Sequence, residues 1–294
     1  MGYIFIFLSV FSNALKGYCT KQLSKKTETT GDAIRLNKVR MVICCLYAML
    51  FVLLKQEGNI LNISVKEFWI CLISGIAQAV FAICWMLAIK TDAYMLVSSS
   101  ASASFVVPCV FGLFLLNEHF TLLKFLSFIV IIIALYFMLR HNFSVKGKLT
   151  KIQILLLGLV LLSQGLNQSM QKLYAYCIIN KDGSYYTLYS FIFATVLLFI
   201  SERLFKKSPN TGNQQFIRTN MKFILIAAFG LFATTYFQTL AAKSVDAIIL
   251  YPMVNALSLI AGTTMASLFF KEKISKDCII GIIFVFAALI LSRI

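Results

Sequence analysis

Three observations predict an all-α polytopic membrane protein, with ten transmembrane helices arranged as two inverted five-helix repeats. Composition is the first: 60% of the 294 residues are hydrophobic and 13% are charged, about half the ~25% charged share of soluble domains. Segmentation is the second, because apolar stretches of membrane-crossing length alternate with short polar connections. The third is an internal repeat. At about 20 residues per crossing, the chain has room for roughly ten helices and none for a separate soluble domain.

The segments run Gly2–Gln22, Ala33–Leu54, Val65–Ile89, Ala93–Leu116, Leu122–Leu139, Ile152–Ile179, Tyr185–Phe205, Met221–Ala242, Ala247–Phe270 and Cys278–Leu291. The first begins Gly2-Tyr3-Ile4-Phe5, with no basic stretch before it and no small-residue cleavage site after it. It therefore reads as a membrane helix rather than a cleaved signal peptide. The second, sixth and eighth carry polar stretches. All are expected to be helical, since lipid offers the backbone no hydrogen-bond partner. Connections are short except at 141–151 and 206–220; the latter, with Ser208-Pro209-Asn210-Thr211-Gly212, is a turn-forming loop. The former is the natural seam, giving repeats at residues 1–145 and 146–294.

Two alignments support the repeat. At an offset of 154 residues, Asp92-Ala93 falls on Asp246-Ala247, Leu96 on Leu250, Ser104 on Ser258, Glu118 on Glu272 and Ala134-Leu135 on Ala288-Leu289. Apolar matches are cheap in such a chain, but here the punctuation agrees: an acidic turn, an apolar span, then a Glu-containing turn. At an offset of 151, Asn13, Lys16, Thr20 and Lys21 meet Gln164, Asn167, Gln171 and Lys172. Residues three and four apart share a helix face, so each half carries a polar stripe on its first helix. Five is odd, so two five-helix halves enter the membrane from opposite sides. Inverted repeats with a site at their interface are a recurrent transporter architecture.

These features resemble the drug/metabolite transporter superfamily in its ten-helix EamA-type form. The resemblance rests on Arg40 opening the second helix and on the stretch Ala88 to Thr121. That stretch reads Ala-Ile-Lys-Thr-Asp-Ala, a small-residue run from Ser98 to Ser104, Pro108, and then Leu116-Asn117-Glu118. The family pattern has Gly where Asn117 stands, and Gly262 occupies the second-half position of the Pro. The resemblance implies a transporter and names no substrate. The first helix also resembles that of the small multidrug resistance proteins, which carry a buried Glu eight residues before a Lys. Lys21 and Lys172 keep that Lys, but Asn13 and Gln164 replace the Glu, so the proton-coupling carboxylate of those relatives is missing.

All eleven acidic residues fall in loops or at helix ends. No carboxylate is expected mid-membrane as a proton relay or cation partner, and no pair suits acid–base catalysis. The two histidines, His119 and His141, lie near segment ends, which argues against a histidine-based metal or nucleophile site. The eight cysteines fall in or beside apolar segments without a Cys-x-x-Cys pair, and packing is their expected role. The net charge of +16 resides mostly between the segments. It suits loop charges that set topology and meet lipid headgroups, not nucleic acid.

The candidate substrate-binding residues are the polar ones inside spans: Asn13, Lys16, Gln78, Gln164, Asn167, Gln171, Gln238, Tyr251 and Asn255. Buried amides must find partners, either a solute in a cavity or a neighbouring helix. Lys16 lies about two-thirds along its helix, where a charge costs roughly 2.5 kcal/mol unless it faces a cavity or partner. It either contacts an anion or snorkels to the interface. Lys21 and Lys172 are read as snorkelling, Arg40 as an interface anchor, and the Ser98–Ser104 run as packing. Tyr251-Pro252 is read as a break in the ninth helix beside a cavity.

The expected function is a secondary transporter, an exporter of small polar or amphipathic metabolites such as amino acids, working by alternating access. With amides and lysines but no acid, a neutral, zwitterionic or anionic solute fits better than a lipophilic cation. The expected partners are that solute and membrane lipids, with no nucleic acid, metal or cofactor. The expected state is a monomer or homodimer in the plasma or inner membrane. A membrane enzyme would need a His, Asp or Ser cluster at one face, and a sensor subunit a soluble domain. The sequence shows neither.

Overall fold

A computed structural model describes residues 2–24, 30–55, 62–89, 94–116, 121–146, 150–204, 217–270 and 276–291. Among them the chain forms helices and no strand. The helices are α1 (Gly2–Ser24), α2 (Thr30–Lys55), α3 (Val65–Ile89), α4 (Tyr94–Ala103), α5 (Val106–Leu115), α6 (Leu122–Lys146), α7 (Lys151–Cys177), α8 (Gly183–Leu204), α9 (Met221–Ala242), α10 (Ala247–Phe270) and α11 (Lys276–Leu291). Six of these, α2, α3, α7, α8, α9 and α10, are long and apolar enough to cross a membrane, and shorter apolar stretches run Ser100–Leu115 and Phe125–Ala134. The turn residues Asp92-Ala93, Asn117-Glu118-His119, Ser208–Asn213 and Glu272, on which part of the sequence reading rests, lie outside the described residues.

The expected fourth span is two helices, and Pro108 explains why. A proline has no N–H, and its ring excludes the carbonyl four residues back, here that of Ser104. That carbonyl instead accepts from the Val107 N–H at 3.1 Å, while the Ser104 N–H donates to Ala101 at 3.2 Å. The chain makes a tight turn at Ser104-Phe105, and Pro108 falls in the first turn of α5, where a missing N–H costs least. Pro252 behaves differently. It sits inside α10, which stays continuous, so the break expected at Tyr251-Pro252 does not occur. Only one bond is lost, near the helix start, and Ile248, Leu250, Tyr251 and Val254 pack into one buried cluster around it.

α1 lies along α9 and α10, α3 along α7 and α8, α2 along α8 and α9, and α6 along α11; α4 and α5 pack on α7 and α10. Two crossings need glycine. A Cβ on Gly230 would lie 2.9 Å from the Ser12 carbonyl oxygen of α1, and one on Gly165 would lie 2.6 Å from Val107 Cβ. Small residues let membrane helices approach closely. Large apolar side chains such as Phe7, Phe11, Leu54 and Phe114 are exposed on the outer surface, as a lipid-facing belt requires.

One end of the bundle is laced together. Gly2 lies against Ser244 and Val245, and Lys172, near the end of α7, donates to the carbonyls of Ala242 at 3.1 Å and Val245 at 2.8 Å. So α1 begins where α7 ends. At this end Lys55 pairs with Asp182 at 2.8 Å and Lys181 with Glu67 at 2.6 Å. Glu67 also closes a capping box with Ser64 at the start of α3 and accepts from the Tyr174 hydroxyl at 3.2 Å. Lys243 binds the carbonyls of Ile179 and Lys181. At the opposite end, Arg35 and Lys38 of α2 hold Glu202 of α8.

Candidate functional site

On α1, Asn13, Lys16, Gly17 and Thr20 occupy positions i, i+3, i+4 and i+7, hence one face, while Phe7 and Phe11 are exposed on the outside. That polar face lines a cavity with about 710 Å³ of empty space, mouth included. Arg40 of α2, Gln78, Phe81 and Trp85 of α3, and Ser98, Ala101 and Ser102 of α4 line it too. So do Gln164 of α7, Leu231 of α9, and Asn255, Ser258 and Gly262 of α10. Thr20 and Trp85 lie near the ends of their helices and Ser98 near the start of its own. The cavity therefore runs from the middle of the bundle away from the laced end. Polar groups converging on a concave site among apolar helices are the usual form of a small-molecule site.

The charge on the described lining residues is of one sign. Arg40 is only 5% exposed. Its Nη1 donates to the Thr20 hydroxyl at 3.3 Å, and that hydroxyl donates to the Lys16 carbonyl at 2.7 Å. Among the described residues, Arg40 Nε and the Ser258 hydroxyl have no hydrogen-bond partner. The Lys16 ammonium makes no hydrogen bond or ion pair among the described residues, and none of the described lining residues is acidic. Arg40 was expected to anchor α2 at the interface. Instead α2 starts at Thr30, so Arg40 lies ten residues into the helix and faces inward.

Of the nine candidates, Asn13, Lys16, Gln78, Gln164 and Asn255 line the cavity; Asn167, Gln171, Gln238 and Tyr251 do not. Asn167 donates to Gln78 Oε1 at 2.7 Å and accepts from the Ser74 hydroxyl at 2.7 Å, with Tyr186 2.6 Å from Ser74. Gln171 donates to the Thr235 carbonyl and the Thr239 hydroxyl, both at 3.0 Å. Gln238 is buried in α9, and Tyr251 is fully buried in an apolar cluster. Asn255 faces the cavity while accepting from Gln168 at 2.9 Å and donating to the Ser102 carbonyl at 3.1 Å. Lys172 was expected to snorkel. It instead caps the carbonyls at the end of α9, a favourable place for a cation. The sequence reading missed Gln168 as a network member, Arg40 and Ser258 as lining residues, and Ser98 and Ser102 as more than packing. The one available signal for Arg40 was its four-residue spacing from Leu36 and Cys44, which puts it on the buried face of α2.

Apolar helices packed around a polar cavity define a membrane protein that handles a small molecule. The chain belongs to the EamA-like transporter family, whose sequence profile matches residues 1–140 and 178–294, and so to the drug/metabolite transporter superfamily. It is a multi-pass integral membrane protein of transporter type. A search of curated protein sequences finds no match. Among solved structures, one crystal structure of a protein superposes with a TM-score of 0.74 at 10% identity. The match covers 99% of this chain and 96% of the other, a likeness of fold alone.

Proposed function

We propose that the protein is a secondary transporter that exports a small polar metabolite by alternating access between two inverted five-helix repeats, residues 1–145 and 146–294. The observation that carries this is the cavity, polar inside an apolar bundle and lined by helices from both halves. The packing supports the repeat. Exchanging halves takes α1 to α7, α2 to α8, α3 to α9, α4 with α5 to α10, and α6 to α11. The α1–α9 pairing then becomes α7–α3, α1–α10 becomes α7 with α4 and α5, and α3–α8 becomes α9–α2. The pairings α2–α8 and α6–α11 map onto themselves. That α1 begins and α7 ends at the same end supports the inversion.

In this reading the structure is one of the two access states, sealed at the laced end by the Lys55–Asp182 and Glu67–Lys181 pairs. Transport requires those contacts to open and the far end to close. The solute path carries Asn13, Lys16, Gln78, Gln164 and Asn255, while Asn167, Gln171 and Gln238 bear on it through helix packing. The test is flux of a broad metabolite panel into proteoliposomes, beside metabolite profiles of cells with and without the protein. Saturable flux of at least one solute is expected. Absence of any flux from protein that still unfolds cooperatively on heating overturns the proposal.

A further inference from the structure

Within that reading of the cavity as the solute path, we infer that the transported solute is a small organic anion whose oxyanion group is held between Lys16 and Arg40. Three observations converge. Arg40 is buried and lines the cavity, yet among the described residues only one of its five N–H donors, on Nη1, meets an acceptor, and Nε meets none. Lys16 shares the cavity and has no partner among the described residues. No described lining residue supplies negative charge. A buried cation without a counterion is costly, and here the buried Arg40 and the half-buried Lys16 face one cavity with no carboxylate among its described lining residues.

The geometry favours a planar or tetrahedral oxyanion over a halide. Arg40 is tethered at Nη1 by Thr20, and a planar guanidinium offers its remaining N–H groups to paired oxygens. Thr20 also fixes the Lys16 turn through that carbonyl, so it ties Arg40 of α2 to the turn of α1 that carries Lys16. Gly230 brings α9 against Lys16, with a Cβ there only 3.1 Å from Lys16 Cβ, which limits the directions open to the Lys16 chain. The rest of the solute lies along Asn13, Gln78 and Gln164, which offer amides, and Phe81 and Trp85, which offer flat apolar faces. A solute carrying an ammonium would find no carboxylate among the described lining residues, so an organic acid or phosphate ester fits better than a zwitterion.

The experiment pairs each charged probe with its neutral counterpart: benzoate with benzamide, succinate with succinamide, glycerol phosphate with glycerol. Binding is read by thermal shift of the full-length protein in maltoside detergent, and flux in proteoliposomes. At least one charged probe is expected to bind tenfold or more tightly than its partner, a difference of about 1.4 kcal/mol. Lys16→Gln and Arg40→Lys should each reduce that ratio at least fivefold; the second keeps the charge while losing the fork and guards against a fold defect. Stabilisation by anionic lipid micelles but by none of the soluble acids would overturn the inference, as would equal binding within every pair. Flux of neutral solutes alone would also overturn it while leaving the transporter reading intact. Absence of all flux from folded protein would overturn both.

Discussion

Helices α1 and α7 carry matching polar stripes, yet the protein uses them in opposite ways. On α1, Asn13, Lys16 and Thr20 face open cavity, and the Asn13 and Lys16 side chains make no hydrogen bond among the described residues. On α7, Asn167, Gln168, Gln171 and Lys172 are consumed by neighbouring helices, in bonds of 2.7 to 3.1 Å. Only Gln164, the partner of Asn13 in the repeat, faces the cavity from α7. The difference teaches that a matching polar pattern fixes which face of a helix is polar, not what that face meets. The family profile matches residues 1–140 and 178–294, so α7, which carries the interhelical network, falls between the two matched stretches.

If the comparison holds, substitutions on α7 lower stability and substitutions on α1 lower transport. The largest effect is expected from Lys172→Met. It strips a charged donor from two carbonyls at the end of α9 and should cost about 2–3 kcal/mol by the usual worth of hydrogen bonds to charged groups. Thermal unfolding in detergent measures it. An unchanged midpoint would return Lys172 to the snorkelling role. Next is Asn167→Leu, which leaves the Ser74 and Tyr186 hydroxyls to each other and frees Gln78. A loss of about 1–2 kcal/mol is expected for interhelical bonds of this kind, with flux falling in step as Gln78 loses its position.

On α1 the expectation reverses. Asn13→Ala should shift the unfolding midpoint by less than about 0.5 kcal/mol, because no protein partner is lost. It should nevertheless raise the KM for the transported solute several-fold, since Asn13 lines the cavity proposed as the solute path. A stability loss as large as that of Asn167→Leu would show that the two helices are alike after all, and would break the comparison.

How much of this was legible in the sequence differs by level. The helical segments were, because hydropathy reports the lipid directly. The break in the fourth span was signalled by Pro108, but the matching signal at Pro252 misled, because proline marks where a helix can bend and packing decides whether it does. Five of the nine polar candidates line the cavity. The other four were not separable from them, since a buried amide that bonds a helix and one that waits for a solute look the same in one dimension. Arg40 was missed for a related reason: its depth depends on where α2 starts, and that start is polar.

The smallest effect tests the laced end, which both stripes reach through their helices. Asp182 sits between α7 and α8, outside the spans. Burial pushes its carboxyl pKa up, but hydrogen bonds from Lys55 and the Ser184 N–H, with the Lys55 charge, outweigh that and hold it below the ordinary carboxylate value. A depressed folded-state pKa means that the stabilisation is present above the unfolded value, near 4, and is lost as pH falls through the lower folded value. Lys55 is about a third exposed, so the pair should be worth roughly 1 kcal/mol or less. The native protein should therefore unfold at a higher temperature than Asp182→Asn at pH 7, and the gap should close as pH drops below about 4. If the pair seals one access state, Asp182→Asn should also expose the laced end more often, read as faster labelling of a cysteine placed at the buried Ser184 in a variant lacking exposed Cys177. Faster labelling without a stability gap would make the pair a gate. A stability gap without faster labelling would make it a strut.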